Sequence, residues 1–404
     1  MTSRYRVEYA LKTHRRDEFI EWIKGLLVVP FVLHAGPTVN EMKTVEISRA
    51  RYAEIFRDVE QLIRDKSLPH LSRLRSLVPS IGTFFTELPL ERAFLEQDPK
   101  RAISARRLVS PSFNDIRLIL NTAQAMALAD GEHPLKLVTF DGDVTLYDDG
   151  MSLLKDDPVV ARLIKLLSRN LYVGIVTAAG YPDKSGANYI VRLKGLVDAI
   201  QESTDLTSDQ KNNVYVMGGE SNYLFRLKGS EAELEWISPR DWTISEVTKW
   251  QESDMCELLD TAQSVLSHSR AHMNLQSSTL IVRKERGVGL VPREGHVICR
   301  EVLEEVVLTA QRRLEATAVA GRVSFSAFNG GHDVWVDIGD KRLGVLSLRR
   351  YLGAIEGDQA LHVGDQFASV GANDFKARMA ACTVWIASPK ETVDIMDELV
   401  EYLG

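Results

Sequence analysis

Cysteine is scarce in this 404-residue chain. Cys256, Cys299 and Cys382 lie far apart, are odd in number and form no CxxC pair. That argues against a disulfide scaffold, a zinc knuckle and a thiol–disulfide centre, and it fits a reducing compartment. Long apolar runs are missing too. The run from Leu26 to Leu33 is interrupted by Pro30 and is too short to span a bilayer. The charged residues before it (Arg4, Arg6, Glu8, Lys12, Arg15, Arg16 and Asp17) are unlike a signal peptide. The expectation is a cytoplasmic protein with no membrane partner. Cationic surplus is absent, with a net charge of −7, so a nucleic acid polymer is not an expected partner. No GxxxxGKS or GxxxxGKT occurs, which disfavours a P-loop ATPase. There is no internal repeat or low-complexity tract.

What is present is ordinary globular material. Hydrophobic residues make up 45% and charged residues 26%, enough for two or three domains. Residues 1–130 read as helical, with periodic apolar positions through Arg51–Lys66, Ser80–Glu96 and Asn114–Ala129. The texture changes at Pro134. Residues 135–140 form a β-rich run ending at Asp141, a helical stretch spans 158–170, and a second buried strand spans 171–177. This order predicts a right-handed βαβ unit with a parallel sheet. Two similar strands follow late, at 360–363 and 382–386. Between them, residues 181–325 read as an α+β insertion. It has hairpin-like strands at 214–217, 223–227 and 234–237, and helices at 245–272 and 295–316.

Four pieces bear chemistry. Asp141-Gly142-Asp143 ends a strand, and a tight glycine turn can aim two carboxylates at one point. Thr177 ends the next strand and can donate to a phosphoryl oxygen. Lys341, with Arg342 as its adjacent competitor, can offset charge beside a nucleophile. Asp365, in His362-Val363-Gly364-Asp365, can ligate Mg²⁺, and Asn373 and Asp374 follow in Gly371-Ala372-Asn373-Asp374. Alone, the first three read at least as well as a polar turn, a strand-end hydroxyl and a solvated lysine, while Gly364-Asp365 followed by Asn373-Asp374 after a strand is the most specific piece.

In this order on successive segments, the four pieces resemble the haloacid dehalogenase superfamily of phosphotransferases. The resemblance implies a Rossmann-like α/β core (131–180 and 326–404), an inserted α+β C2-type cap (181–325) and an additional all-α N-terminal domain (1–130) with a regulatory or oligomerisation role. A closer resemblance runs over essentially the whole chain. Residues 5–16, the run Ser112-Phe113-Asn114-Asp115-Ile116-Arg117, and Thr139 to Tyr147 are similar to the IMP-specific 5′-nucleotidases of fungi and apicomplexans. This implies a phosphoric monoester hydrolase converting inosine 5′-monophosphate to inosine and phosphate. Mg²⁺ is the implied cofactor, ATP an implied allosteric activator, and a homotetramer the implied assembly.

Carried over residue by residue, the nucleophile falls on Asp141 and the acid/base on Asp143. The metal positions fall on Asp141, Asp143 and Asp365. Substrate contacts fall on Asp143, Asp149, Thr177, Asp333, Trp335, Asp337 and Lys341, with Asp148 a rival to Asp149. In a strand, Asp333, Trp335 and Asp337 share one face while Val334 and Val336 take the other. Asp374 and Asn373 are further candidates at the metal loop. Arg117 is a candidate near the effector site, and Asn188, Tyr189 and Arg192 are candidates for purine choice. Two alternatives stay open: a phosphomutase or phosphatase of the same superfamily acting on a sugar phosphate or another nucleotide, and a non-catalytic nucleotide sensor.

Overall fold

The computed structural model describes residues 17–34, 41–65, 73–367 and 372–404. The charged segment and motif at 4–16, Lys66 and Gly371 lie outside the described residues. The backbone builds two sheets. The larger has the strand order β11-β10-β1-β2-β3-β4-β5. Its strands are β1 (Leu137–Phe140), β2 (Tyr172–Val176), β3 (Val214–Gly218), β4 (Tyr223–Lys228), β5 (Glu233–Ile237), β10 (Ala360–Gly364) and β11 (Cys382–Trp385). The first five in that order pair in parallel, and β4 and β5 close the edge antiparallel.

The parallel strands read as continuous apolar runs because helices cover both faces. Every residue of β1, β3 and β10 is buried. Chain order reverses on either side of β1, which lies between β10 and β2. Ligands in such sheets collect at the carboxyl ends of the strands flanking that reversal.

The smaller sheet has the order β6-β7-β9-β8, wholly antiparallel, from Thr279–Arg283, Gly287–Pro292, Val334–Ile338 and Phe325–Asn329. Helices Glu252–His272 and Arg300–Glu315 pack on one of its faces, against Val288, Leu290, Val334, Val336 and Ile338. The cap boundaries of 181 and 325 therefore shift. Strands β3, β4 and β5 extend the large sheet, and β8 and β9 belong to the small one. Hairpin texture misled at the first boundary, because an antiparallel pair can extend a parallel sheet as well as start a new one.

Helices Glu18–His34, Glu41–Asp65, Leu90–Arg101 and Phe113–Asp130 form a separate apolar core around Phe56, Phe94 and Ile116. The helix expected over 80–96 begins only at Leu90, behind Pro89. Ser112 opens the 113–130 helix with a reciprocal cap. Its hydroxyl accepts from Asp115 N at 3.2 Å, and the Asp115 carboxylate accepts from Ser112 N at 2.7 Å. The same helix grips the large sheet: Asn121 accepts from Trp385 N at 3.0 Å and donates to Trp385 O at 2.7 Å.

Candidate active site

Register aligns the strand ends. Phe140 lies opposite both Val363 and Ile175, so Asp141 emerges level with Gly364 on one side and Val176 on the other. Asp141 N donates to Val363 O at 2.9 Å, and Thr177 N to Met217 O at 2.9 Å. Gly142 is required by space: a Cβ there would meet the Tyr147 hydroxyl at 2.6 Å and the Thr177 hydroxyl at 3.4 Å. Val144, two residues on, holds a positive φ of 61°. Such strain in a β-branched residue points to a constrained functional loop.

Lys341 organises the charges. It is fully buried, and its ammonium lies 2.7 Å from Asp141 Oδ2 and 2.7 Å from Asp374 Oδ1. Burial works against its charge, yet Asp141 and Asp374 hold it well above the usual lysine range. It opens helix Lys341–Tyr351, where Asp340 caps Leu343 N at 3.0 Å. Arg342, its competitor, is instead taken by Glu246. Asp374 also meets His362 Nε2 at 3.0 Å and accepts from Gln366 N at 2.9 Å. Burial raises Asp374, but Lys341 and His362 outweigh that and hold it down to about 2.

Asp141 and Asp365 are driven the other way. Burial pushes Asp141 up to about 7; Lys341 opposes this and the Asp374 carboxylate adds to it. Asp365 rises to about 8 through burial and the neighbouring Asp141 and Asp374 carboxylates. Its Oδ1 is buried without a hydrogen-bond partner among the described residues. Carboxylate oxygens of Asp141, Asp365 and Asp374 fall within 4.8 Å of one another. An all-oxygen, net-anionic donor set with one unpaired oxygen fits a hard divalent cation.

A second polar surface lies on β9, the strand that leads into Lys341. On β9, Asp333, Trp335 and Asp337 point away from the cap core that buries Val334, Val336 and Ile338. Opposite Asp337 and Trp335 on β7 stand Gly287 and Gly289. A Cβ on Gly289 would press on the Trp335 ring at 2.8 Å, and one on Gly287 would lie 2.0 Å from Asp337 Oδ1. The glycines let the indole and the Asp337 carboxylate lie against β7. The Lys284 ammonium lies 4.0 Å from the Trp335 ring centroid. Burial pushes Asp337 up to about 7 and also raises Asp333.

The family model for IMP-specific 5′-nucleotidase matches residues 1–396. This chain belongs to that family. It is 58% identical to the IMP-specific 5′-nucleotidase 1 of Yarrowia lipolytica, over 100% of this chain and 98% of that protein. Against the Saccharomyces cerevisiae counterpart the identity is 50%, covering 99% and 100%. An IMP-bound mutant of the Plasmodium falciparum IMP-nucleotidase superposes with a TM-score of 0.83 at 31% identity, covering 96% and 95%. An ATP-bound structure of the same Plasmodium protein gives 0.80 at 32%, covering 98% and 88%. Membership makes the chain a phosphoric monoester hydrolase with an α/β core of the haloacid dehalogenase type.

The fold brings Asp141, Thr177, Lys341, Asp365 and Asp374 to one sheet edge. Asp143 accepts from Gly150 N at 3.1 Å. Asp149, rather than Asp148, faces the cap: its carboxylate lies 3.7 Å from His332 Nε2, and a Cβ on Gly331 would meet it at 2.5 Å. Arg117 is not in this cluster. Its guanidinium is bound by Glu391 at 2.7 Å and by Trp385 O at 2.5 Å, clamping the N-terminal helices to the core. Asn188, Tyr189 and Arg192 ride a helix of the core, Ala187–Glu202, and not the cap. Tyr189 packs with Phe225 in the large core, whereas Arg192 reaches Met151 O at 2.6 Å near the catalytic loop. Sequence reasoning missed the turn Gly219-Glu220-Ser221-Asn222. It follows a fully apolar run at the carboxyl end of β3, a signal hidden once that strand was assigned to the cap.

Proposed function

We propose that this enzyme hydrolyses inosine 5′-monophosphate to inosine and phosphate through an aspartyl-phosphate on Asp141. Asp141 attacks phosphorus as the bond to the ribose O5′ breaks, and Asp143 gives that oxygen a proton. Asp143 then takes a proton from a water molecule. The water attacks phosphorus, the Asp141–phosphorus bond breaks, and phosphate leaves. Thr177 and Lys341 hold the phosphoryl oxygens. Asp141, Asp365 and the Asp143 backbone carbonyl would hold Mg²⁺, with Asp374 nearby; when bound, the ion supplies positive charge to the phosphoryl oxygens.

Asp149, Asp333, Trp335 and Asp337 contact the nucleoside, with the indole offering a flat apolar surface to the base. A single observation carries this reading: the Asp141–Lys341–Asp374 cluster at the sheet's reversal point, with the aromatic and acidic strand of the cap leading into it. Phosphate release measured across IMP, AMP, GMP and hexose phosphates tests it. Release from IMP alone supports it, and faster release from a hexose phosphate overturns it in favour of the sugar-phosphate reading.

The finer biology follows the family. The helical region is read as regulatory, with ATP as activator. Support is the ATP-bound state of the Plasmodium relative. A homotetramer is inferred, for which the exposed Val29 and Val32 of the first helix offer an apolar face. A cytoplasmic setting fits three free cysteines, of which Cys256 and Cys299 are exposed.

A further inference from the structure

Glu220 stands out as a carboxyl the proposed chemistry does not use. It is fully buried, in the turn between β3 and β4. Gly219, Glu220 and Ser221 hold positive φ values of 60°, 51° and 82°. Three successive left-handed residues, two with side chains, persist only where the surroundings over-determine them.

Those surroundings are the active-site segments. Glu220 N donates to Thr177 O at 3.3 Å. Ser221 Oγ donates to Asp340 O at 2.6 Å, next to Lys341. Asn222 Nδ2 donates to Ile338 O at 2.7 Å. Gly339 has a φ of +94°, and a Cβ there would sit 2.2 Å from Glu220 O. The turn therefore joins the Thr177 and Lys341 segments, and the Glu220 side chain reaches the third: Asn373 Nδ2 donates to Glu220 Oε1 at 3.2 Å.

The other oxygen of each of these two side chains, Glu220 Oε2 and Asn373 Oδ1, is buried with no hydrogen-bond partner among the described residues. They are the complementary atoms of that same carboxyl and amide. Two acceptors cannot satisfy each other, but one proton on Oε2 makes it a donor to Oδ1. We propose that Glu220 is kept as the neutral carboxylic acid and closes a reciprocal two-bond pair with the Asn373 amide, as a positioning residue for the Asp374 loop. This rests on placing Asp374 and Lys341 in the active site.

Charge supports the same protonation state. The charged and titratable groups facing Glu220 are Lys341, Asp337, Asp141 and Asp340, and burial raises the Glu220 carboxyl far above its ordinary range. Three of these four are acids. The one cation, Lys341, is already bound to Asp141 and Asp374. An ionised Glu220 would be a buried charge with no cation in contact, whereas the neutral acid ties the loop down without adding negative charge.

The test compares the full-length Mg²⁺-loaded enzyme with E220Q and E220L. Glutamine reproduces both bonds, since its carbonyl accepts from Asn373 and its amide donates. We expect E220Q to keep kcat for IMP within about threefold and E220L to lose about tenfold or more. The infrared difference spectrum between parent and E220Q at neutral pH should show the carbonyl stretch of a protonated carboxyl, present in the parent alone. Absence of that band, or E220Q as impaired as E220L, overturns the pair. Should E220L fail to fold, parent and E220Q alone decide the matter. A parent inactive on IMP that still shows the band defeats the substrate reading and leaves the pair standing.

Discussion

At the edge of the seven-stranded sheet, the polar side chains bind one another. Lys341 holds Asp141 and Asp374, His362 and Gln366 hold Asp374 again, and Asp365 Oδ1 is the one oxygen of the three-aspartate cluster without a hydrogen-bond partner among the described residues. On the open face of the four-stranded sheet the situation is reversed. Asp333 and Asp337 enter no ion pair among the described residues, and two glycines let Trp335 and Asp337 lie against β7. One surface is assembled before any ligand arrives, and the spare Asp365 oxygen of its aspartate cluster points to a cation. The other keeps two acids without an ion-pair partner among the described residues, one of them hydrogen-bonded by Trp335. A phosphatase that must find one nucleotide needs both: rigid electrostatics where charge develops, and unspent donors and acceptors where identity is read.

Breaking the preassembled edge should cost the most. Asp141→Asn should lower kcat by about 10³-fold or more, with a melting temperature near that of the parent. Next, Asp365→Asn removes the spare oxygen. The Mg²⁺ concentration for half-maximal rate should rise by roughly 10–100-fold or more, and chelator should abolish parent activity reversibly.

The recognition face should give effects of another kind. Trp335→Ala should raise KM for IMP by about tenfold while sparing turnover of a small phosphate ester, because lost stacking is lost binding. Asp337 separates the two surfaces most sharply. Its buried carboxyl is raised from 3.8 to about 7. The folded state therefore binds the proton more tightly than the unfolded chain does. That stability is fully present below about pH 4 and falls as pH rises towards 7. Asp337→Asn should recover on the order of 1–4 kcal/mol at pH 8 in thermal melts, yet raise KM. Gain in stability with loss of affinity is the signature of a group kept for a ligand; loss of both would make it structural. Smallest, Asn121→Ala should cost about 1–3 kcal/mol of stability and lower kcat by only about twofold, since the Trp385 indole keeps its own bond to Asp365 O.

Much of the core was legible because its logic is local. A buried strand ending in an aspartate, repeated with Thr177 and Asp365, places three groups on one edge whatever the rest of the chain does. The alternation of Asp333, Trp335 and Asp337 likewise survives as one face. Non-local information was not legible. Whether β3 pairs with β2 or with β4 alone is settled by packing, and that choice moved the cap boundary and hid Glu220. Arg117 reads in sequence as an effector-site candidate and becomes a clamp only when Glu391 and Trp385, far along the chain, fold against it.

Trapping the covalent intermediate tests the central claim most directly. Rapid-quench mixing of ³²P-labelled IMP with the parent and Asp141→Asn enzymes should label the parent transiently. Peptide mapping should place that label on Asp141, with none in Asp141→Asn. Phosphate release from the parent with no protein-bound label at any quench time, or a label mapping elsewhere, would contradict the account.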